Sequence, residues 1–477
     1  MRAFLSRWRP LYLKNLVYML QTTEYSLRDY WKWYHRTRDF SRVARRRQLQ
    51  YTPKATLLLL WSWFFVAATS LLAGLWIYWW SSRSVSYAVM VAALVLILAL
   101  WLVPYVIALP VLAGNLMVQW PLMQYLNWRA RGKIERYSGV KIAVAGSYGK
   151  TTMKEILKTV LGMGKKVMAT PGNLNASIGF SRFINRLTGK EEVIIFELGE
   201  YRPGDIKRYA RVTRPNMGII TGVNEAHLNN FGDLDSTAAE IFTLADYLDK
   251  RPVYVNGDDD IVRRQAQAHH RFYSWEGANG WKVKSASTGL DGTSFVAQKG
   301  KRHVKAKSKL LGLHQIGPLM AAVAIAEELG LSDAQITKGI AKTQPFEHRL
   351  QLQHRTGGVT VIDDTYNGNP DGVRAALEFM RGLEGRRIYI TPGLVETGQR
   401  AAEIHRQIGR ELAESVNVVW LIRNSVTPYI AEGLSEKHFA GELVWYDDPL
   451  EAYAAIDSYT KAGDIVLMQN DWPDQYA

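Results

Sequence analysis

Residues Ala143–Thr152 read "AVAGSYGKTT", and this stretch decides how the rest of the chain is read. The strand-like "KIAVAG" precedes it, and "MKEILKTVL" follows with apolar residues at 156, 157, 160 and 161. Strand, glycine turn and helix start together predict an anion site. Backbone N–H groups and the helix N-terminus face phosphate, a lysine adds mobile charge, and a Thr hydroxyl can ligate Mg²⁺. Gly146, Ser147, Tyr148, Gly149, Lys150, Thr151 and Thr152 are therefore candidate nucleotide-binding residues. The spacing is shorter than in the standard phosphate-binding loop, because Val144 holds the place of its first glycine.

Around this motif, short β-branched runs alternate with helical patterns: "EEVIIFELG", "MGIITGV" and "RPVYVNG". They predict a mostly parallel sheet wrapped by helices. A second α/β stretch begins near Arg349, with "GGVTVIDD", "RRIYITPG", "VNVVWLI" and "DIVLMQN" as its strands.

The N-terminal part has a different texture. Residues 1–54 hold 13 Lys/Arg against 3 Asp/Glu, so much of the net charge of +15 sits there. Residues 57–80 and 87–109 carry no charge, and each run is long enough to cross a hydrocarbon core of roughly 30 Å as a helix. The outer flanks are basic, "RRR" at 45–47 and "RARGK" at 129–133, and the connector has one Arg. The positive-inside rule then predicts a transmembrane hairpin with N-terminus and catalytic domains in the cytoplasm, a multi-pass protein of the cell (inner) membrane. The aromatic, Arg-rich segment before the hairpin predicts a helix lying on the membrane surface, in contact with anionic lipids. No nucleic-acid partner is expected of the basic block. The chain has no cysteine, which excludes disulfides, a thiol nucleophile and cysteine-ligated metal.

The order of motifs carries a resemblance. "GSYGKTT" resembles the ATP loop of the Mur ligases, Gly-x-x-Gly-Lys-Thr/Ser. "TPGNLNASIG" (170–179) resembles their Asn-rich substrate loop, "FELGEYRPGDI" (196–206) their Glu-x-Gly segment and "VNEAHLNNFG" (223–232) their Glu-Ala-His-Leu segment. "LLGLHQIGPLMAAVAIAEELG" (310–330) stands in the place of the His-Asn helix. "HRLQ" (348–351) and "VIDDTYNGNPDGVRAAL" (361–377) resemble the start of the third domain. The Asp-Asp-x-Tyr-Asn-x-Asn-Pro string resembles the MurF type, the UDP-N-acetylmuramoyl-tripeptide–D-alanyl-D-alanine ligases. "VLMQNDWPDQY" at the end resembles a membrane-associated branch of that type.

The resemblance implies an α/β fold with a central P-loop Mur-ligase ATPase domain (139–346) and a C-terminal Rossmann-like domain (347–477). Before them come the basic segment 1–54, the hairpin 55–110 and an interfacial helix or linker 111–138. It implies ATP and Mg²⁺, a peptidoglycan precursor peptide and an amino-acid or dipeptide amine, joined through an acyl phosphate. By resemblance, Lys150, Glu197, His227 and Arg349 are catalytic, and Thr151, Glu197 and His227 hold metal. His314, Gln315, Arg349, Asp364 and Asn367 join the loop in binding ATP. Asn173, Asn175, Tyr366, Asn369 and Pro370 meet substrate.

Three features depart from the family pattern. Ala238 stands where most Mur ligases carry a carbamylated Lys. Gln315 replaces an Asn, keeping the amide donor and acceptor. The usual N-terminal UDP-sugar domain is not seen. Two alternatives stay open: a membrane-anchored amide ligase of another polymer, like a poly-γ-glutamate synthase, and a catalytically inactive Mur-like scaffold.

Overall fold

The computed structural model describes residues 6–9, 11–23, 25–37, 40, 49–172, 177–224, 231–355, 357–366, 368–394 and 397–470. The chain divides into two compact units, one ending at Tyr125 and one beginning at Leu126.

In the first unit, helices α1 (Leu11–Thr22) and α2 (Leu27–Arg36) precede α3 (Pro53–Trp80) and α4 (Val85–Gly114). Thr52 caps α3 by accepting from the Ala55 N–H, with Pro53 in the first turn, where its missing N–H costs nothing. Both α3 and α4 are long and apolar enough to cross a membrane. Leu60, Phe64, Leu71 and Leu72 on α3, and Met90 and Leu94 on α4, are exposed. An exposed apolar surface of this extent marks a face that meets a membrane or another protein. In the segment expected to lie on the membrane surface, Tyr12, Leu16, Val17 and Leu20 of α1 are buried in one cluster with Leu58, Val103 and Ile107 of the hairpin. Charge counting along the sequence could not separate an apolar face turned to lipid from one turned to protein.

Helix α5 (Trp120–Arg136) runs across the division, and the second unit continues with strands β1 (Val140–Ala145), β2 (Val167–Ala169), β3 (Val193–Glu197), β4 (Met217–Ile220), β5 (Val253–Asn256) and β6 (Arg271–Ser274). These lie in the order β2-β3-β1-β4-β5-β6, all parallel. The β-branched content and near-total burial of β3, β4 and β5 are those of a sheet covered on both faces. Interleaved helices are α6 (Lys150–Leu161), α7 (Ser177–Arg186), α8 (Asp205–Thr213), α9 (Leu234–Leu248) and α10 (Asp260–Gln265). Ile156, Leu157, Val160 and Leu161, the apolar stripe of α6, are all buried in the core. Strands β7 (Gly277–Ala278), β8 (Trp281–Gly289), β9 (Gly292–Lys299) and β10 (Arg302–Ser308) extend the same sheet antiparallel. Helix α11 (Ile316–Glu328) then packs into the core.

A second sheet follows, with β11 (Gln351–His354), β12 (Thr360–Asp364), β13 (Arg387–Thr391), β14 (Val418–Ile422), β15 (Glu442–Tyr446) and β16 (Ile465–Gln469). Its order is β11-β12-β16-β13-β14-β15, parallel except for β11. Helix α12 (Pro370–Arg381) follows β12.

Candidate functional site

Strand β1 lies between β3 and β4, with Val144 opposite Glu197 and Ala145 opposite Ile220. The sheet order therefore reverses at β1, and the loops after β1, β3 and β4 open into one crevice. Ligands of open α/β sheets bind at such a switch point. The loop after β1 is built by glycine. Gly146 has φ +145°, and a Cβ there would stand 2.2 Å from Thr221 Oγ1. Gly149 has φ +74° and starts α6 without a side-chain cap. The first turn of α6 thus keeps its N–H groups for a ligand. The Ser147 N–H donates to Gly222 O at 2.7 Å, which ties the loop to the end of β4. Tyr148 OH donates to Asp259 Oδ2 at 3.0 Å.

Two lysines and two glutamates fill the crevice. Lys150 Nζ lies 2.9 Å from Glu200 Oε2 and donates also to Gly146 O. Thr151 Oγ1 donates to Glu197 Oε1 at 2.8 Å. Lys154, wholly buried, places Nζ 2.9 Å from Glu197 Oε2 and donates to Gly172 O. The Glu197 N–H donates to Thr170 Oγ1 at 3.1 Å. So Glu197 at the end of β3 meets Thr151 and Lys154 from successive turns of α6, and Lys150 meets Glu200 from the loop beyond.

The second sheet contributes from the other side. The Arg349 guanidinium stacks 4.9 Å from the Tyr366 ring. Burial lowers its pKa, while the charges of Asp364 and Glu197 act the other way, so Arg349 feels the crevice carboxylate. Asp364 Oδ1 accepts from the Leu350 N–H at 3.1 Å, and Oδ2 from Gln469 Nε2 at 2.6 Å. Burial pushes the Asp364 carboxyl up to about 6, against the pull of Gln469 and Arg349. Asn369 caps α12 through the Gly372 N–H, with Pro370 in the first turn. Its Oδ1 also accepts from Asn224 Nδ2 at 2.9 Å. His314 and Gln315 lie just before α11, with their side chains 2.7 Å apart.

The structure thus gathers Lys150, Thr151 and Glu197, with Arg349 near enough for the charge of Glu197 to act on it. Asn173, Asn175, His227 and Asn367 lie outside the described residues. Ala238 is fully buried on α9, in an apolar cluster with Ile220, Ile241 and Leu244. Lys154, Glu200, Thr170 and Asp259 escaped the sequence reading. Lys154 had a signal: it is a cation between the buried positions 153 and 156 of an amphipathic helix.

The donor set suits a nucleotide and a hard cation. Ser147 Oγ, Gln315 Oε1 and Arg349 Nε are buried without a hydrogen-bond partner among the described residues. A hydroxyl beside the loop, an amide oxygen and a guanidinium N–H match phosphate, an adenine amino group and an anion. Among the described residues no cluster of three or more metal-binding side chains occurs. Glu197 with Thr151 fits Mg²⁺ as that ion is commonly held, by one or two carboxylates together with substrate phosphates.

Two domain models match the chain: the Mur ligase middle domain over residues 144–326, and the Mur ligase glutamate ligase domain over residues 348–469. These domains make it an ATP-dependent ligase that forms a carbon–nitrogen bond. Together they span more than half of the chain, which belongs to the Mur ligase family. Among its relatives, the UDP-N-acetylmuramoyl-tripeptide–D-alanyl-D-alanine ligase of Bacillus subtilis is 26% identical over 349 residues, covering 72% of this chain and 76% of the relative. The ligase of the same name from Mycobacterium leprae is 29% identical over 363 residues, covering 69% and 70%. The crystal structure of MurF ligase from Thermotoga maritima in complex with ADP shares the fold. Its TM-score is 0.65 at 24% identity, over 73% of this chain and 80% of that one.

Proposed function

We propose that the chain is a MurF-type ligase of peptidoglycan synthesis. It joins D-alanyl-D-alanine, or a similar amine, to the peptide of a wall precursor at the cytoplasmic face of a membrane that α3 and α4 cross. The observation that carries the reading is the meeting of Lys150, Thr151 and Glu197 at the switch point. The names of the relatives support the amine, and the exposed apolar surface of α3 and α4 supports the anchor.

ATP supplies the phosphoryl group that activates the acceptor carboxylate, and Mg²⁺ neutralises charge on it. The chain supplies position and cations. The α6 N-terminus and Ser147 hold phosphate oxygens, and Lys150 leaves Glu200 to meet the charge that grows during transfer. Thr151, Glu197 and His227 hold the cation. Gln315 reads the adenine edge, with His314 beside it, and Arg349 and Asp364 close over the nucleotide from the second sheet. Asn173, Asn175, Tyr366, Asn369 and Pro370 form the substrate side.

The test is phosphate release by the full-length protein in detergent, against a panel of precursor peptides and amines. Release should require both a UDP- or lipid-linked muramoyl tripeptide and D-alanyl-D-alanine, and Lys150→Ala should lower it by at least roughly a hundredfold. Release with glutamate chains and not with the tripeptide would replace this reading by the other-polymer ligase. No release with any pair would leave the scaffold.

A further inference from the structure

The crevice described above opens at the C-terminal ends of the parallel strands. A second concavity lies at their N-terminal ends. It has a volume of about 530 Å³ and is lined by Arg131, Glu135, Arg211, Arg214, Tyr247 and Arg251. Arg214 and Arg251 each stand just before a strand, β4 and β5, while Arg131 and Glu135 come from α5. β1 alone, six residues long, separates the two ends by roughly 17 Å. The cleft is therefore not part of the ATP crevice.

Its charge is lopsided. Four guanidinium groups face one carboxylate. Glu135 Oε1 pairs with Arg214 at 2.5 Å. The Arg251 guanidinium is held in place by the carbonyls of Tyr247, Leu248 and Pro215, at 2.8, 3.0 and 2.9 Å. Arg131 and Arg211 are exposed and have no ion-pair partner among the described residues. The potential reaches a neighbour. The half-buried Lys141 amine is held below its usual pKa by burial and by the charges of Arg214 and Arg251. Guanidinium groups that line one cleft, two of them held in place and two exposed, are suited to bidentate recognition of phosphate oxygens. In sequence, Arg131 follows the second apolar run by only some twenty residues.

We propose that this cleft binds a phosphate group, and that the headgroup phosphate of an anionic phospholipid supplies it. The lipid source rests on the membrane reading above. The phosphate chemistry does not, so the two fail separately. A phosphate in this place would tie the N-terminal edge of the catalytic sheet to the bilayer surface without touching the crevice.

The experiment uses the full-length protein in neutral detergent. Native mass spectrometry counts bound phosphatidylglycerol against phosphatidylcholine, and calorimetry follows inorganic phosphate. Wild type should retain phosphatidylglycerol in preference to phosphatidylcholine. Arg131→Gln with Arg211→Gln should weaken that binding by roughly tenfold or more, while Lys284→Gln with Lys301→Gln, two exposed lysines elsewhere, should not. Glu135→Gln, which removes only the cleft's carboxylate, should tighten binding. These variants move affinity in opposite directions, so a folding defect cannot imitate the pattern. Inorganic phosphate that displaces the lipid at millimolar concentration would keep the phosphate site and assign it to a soluble ligand. Equal losses in the cleft and control variants, or no effect of any of them, would overturn the proposal.

Discussion

Lys154→Met separates a metal-binding Glu197 from a merely structural one. Lys154 is wholly buried, with its ammonium 2.9 Å from a carboxylate that is itself only 2% exposed. Met has a similar length and no charge, so it fills the space and leaves Glu197 facing Thr151 alone. Breaking a buried ion pair by removing one partner costs about 3–5 kcal/mol, mostly the penalty of the stranded charge. At roughly 2 °C per kcal/mol for a large domain, the apparent melting temperature should fall by about 6–10 °C in metal-free buffer. A cation bound at Glu197 offsets the same charge. Added Mg²⁺ with a non-hydrolysable ATP analogue should therefore recover much of the loss, and stabilise the variant more than wild type. The assay is scanning calorimetry of both proteins, with and without Mg²⁺ and the analogue. Equal Mg²⁺-dependent shifts in the two would refute the reasoning, because Glu197 would then sense Lys154 but no metal.

The two loop glycines should differ. Gly146→Ala drives a Cβ to 2.2 Å from Thr221 Oγ1 in a conformation only glycine favours, whereas at Gly149 the nearest atom is 3.6 Å away. ATP affinity, read by calorimetry, should collapse in the first variant, while the second should cost only about 1–2 kcal/mol of stability. Asp364→Asn should remove an acid limb from the pH profile of kcat/KM for ATP, because burial raises this carboxyl to about 6 and wild type loses the ionised form below that pH. In stability the sign is opposite. The raised pKa favours the fold fully below about 4 and is lost as pH rises through about 6, so the variant should gain on wild type by about 2–3 kcal/mol between pH 4 and 7, measured by denaturant titration. Activity should not respond to added bicarbonate, because Ala238 has no amine to carbamylate; a bicarbonate-dependent gain would show that another lysine serves.

Strands β1, β3, β4 and β5 of the first sheet and β12, β13, β14 and β16 of the second could be read directly, since four- to six-residue β-branched runs between helical patterns have few other readings; the short β2 and the less buried β6 and β15 were not picked out. The antiparallel extension β7–β10 was missed although Asp291-Gly292 is a hairpin signal. Its strands are rich in Lys, Ser and Thr, and only one face is buried, so they lack the apolar runs that marked the others. Within the site, residues on a loop motif were legible because the backbone chemistry names them. Lys154 was marked only by its place on the buried stripe of α6, and Glu200 not at all. Their importance comes from pairing with residues distant in sequence, and no local pattern names those partners.

The charges of the crevice also bear on the missing lysine. Glu197 has two carboxylate oxygens, and one faces the Lys154 ammonium while the other accepts from Thr151. Lys150 is matched in turn by Glu200. Among the described residues, the two lysines and two glutamates of the crevice thus balance one another. The crevice becomes strongly anionic only when triphosphate enters, and then Lys150 is the cation that can move, because Lys154 has no exposed surface. A carbamylated lysine would add a further anion to this balance, and with it a reason for a second metal. At position 238 the chain has packed a methyl group into an apolar cluster instead. On the proposed reading, Lys154 therefore holds Glu197 in place from behind, with Thr151 on the side where a cation would be held.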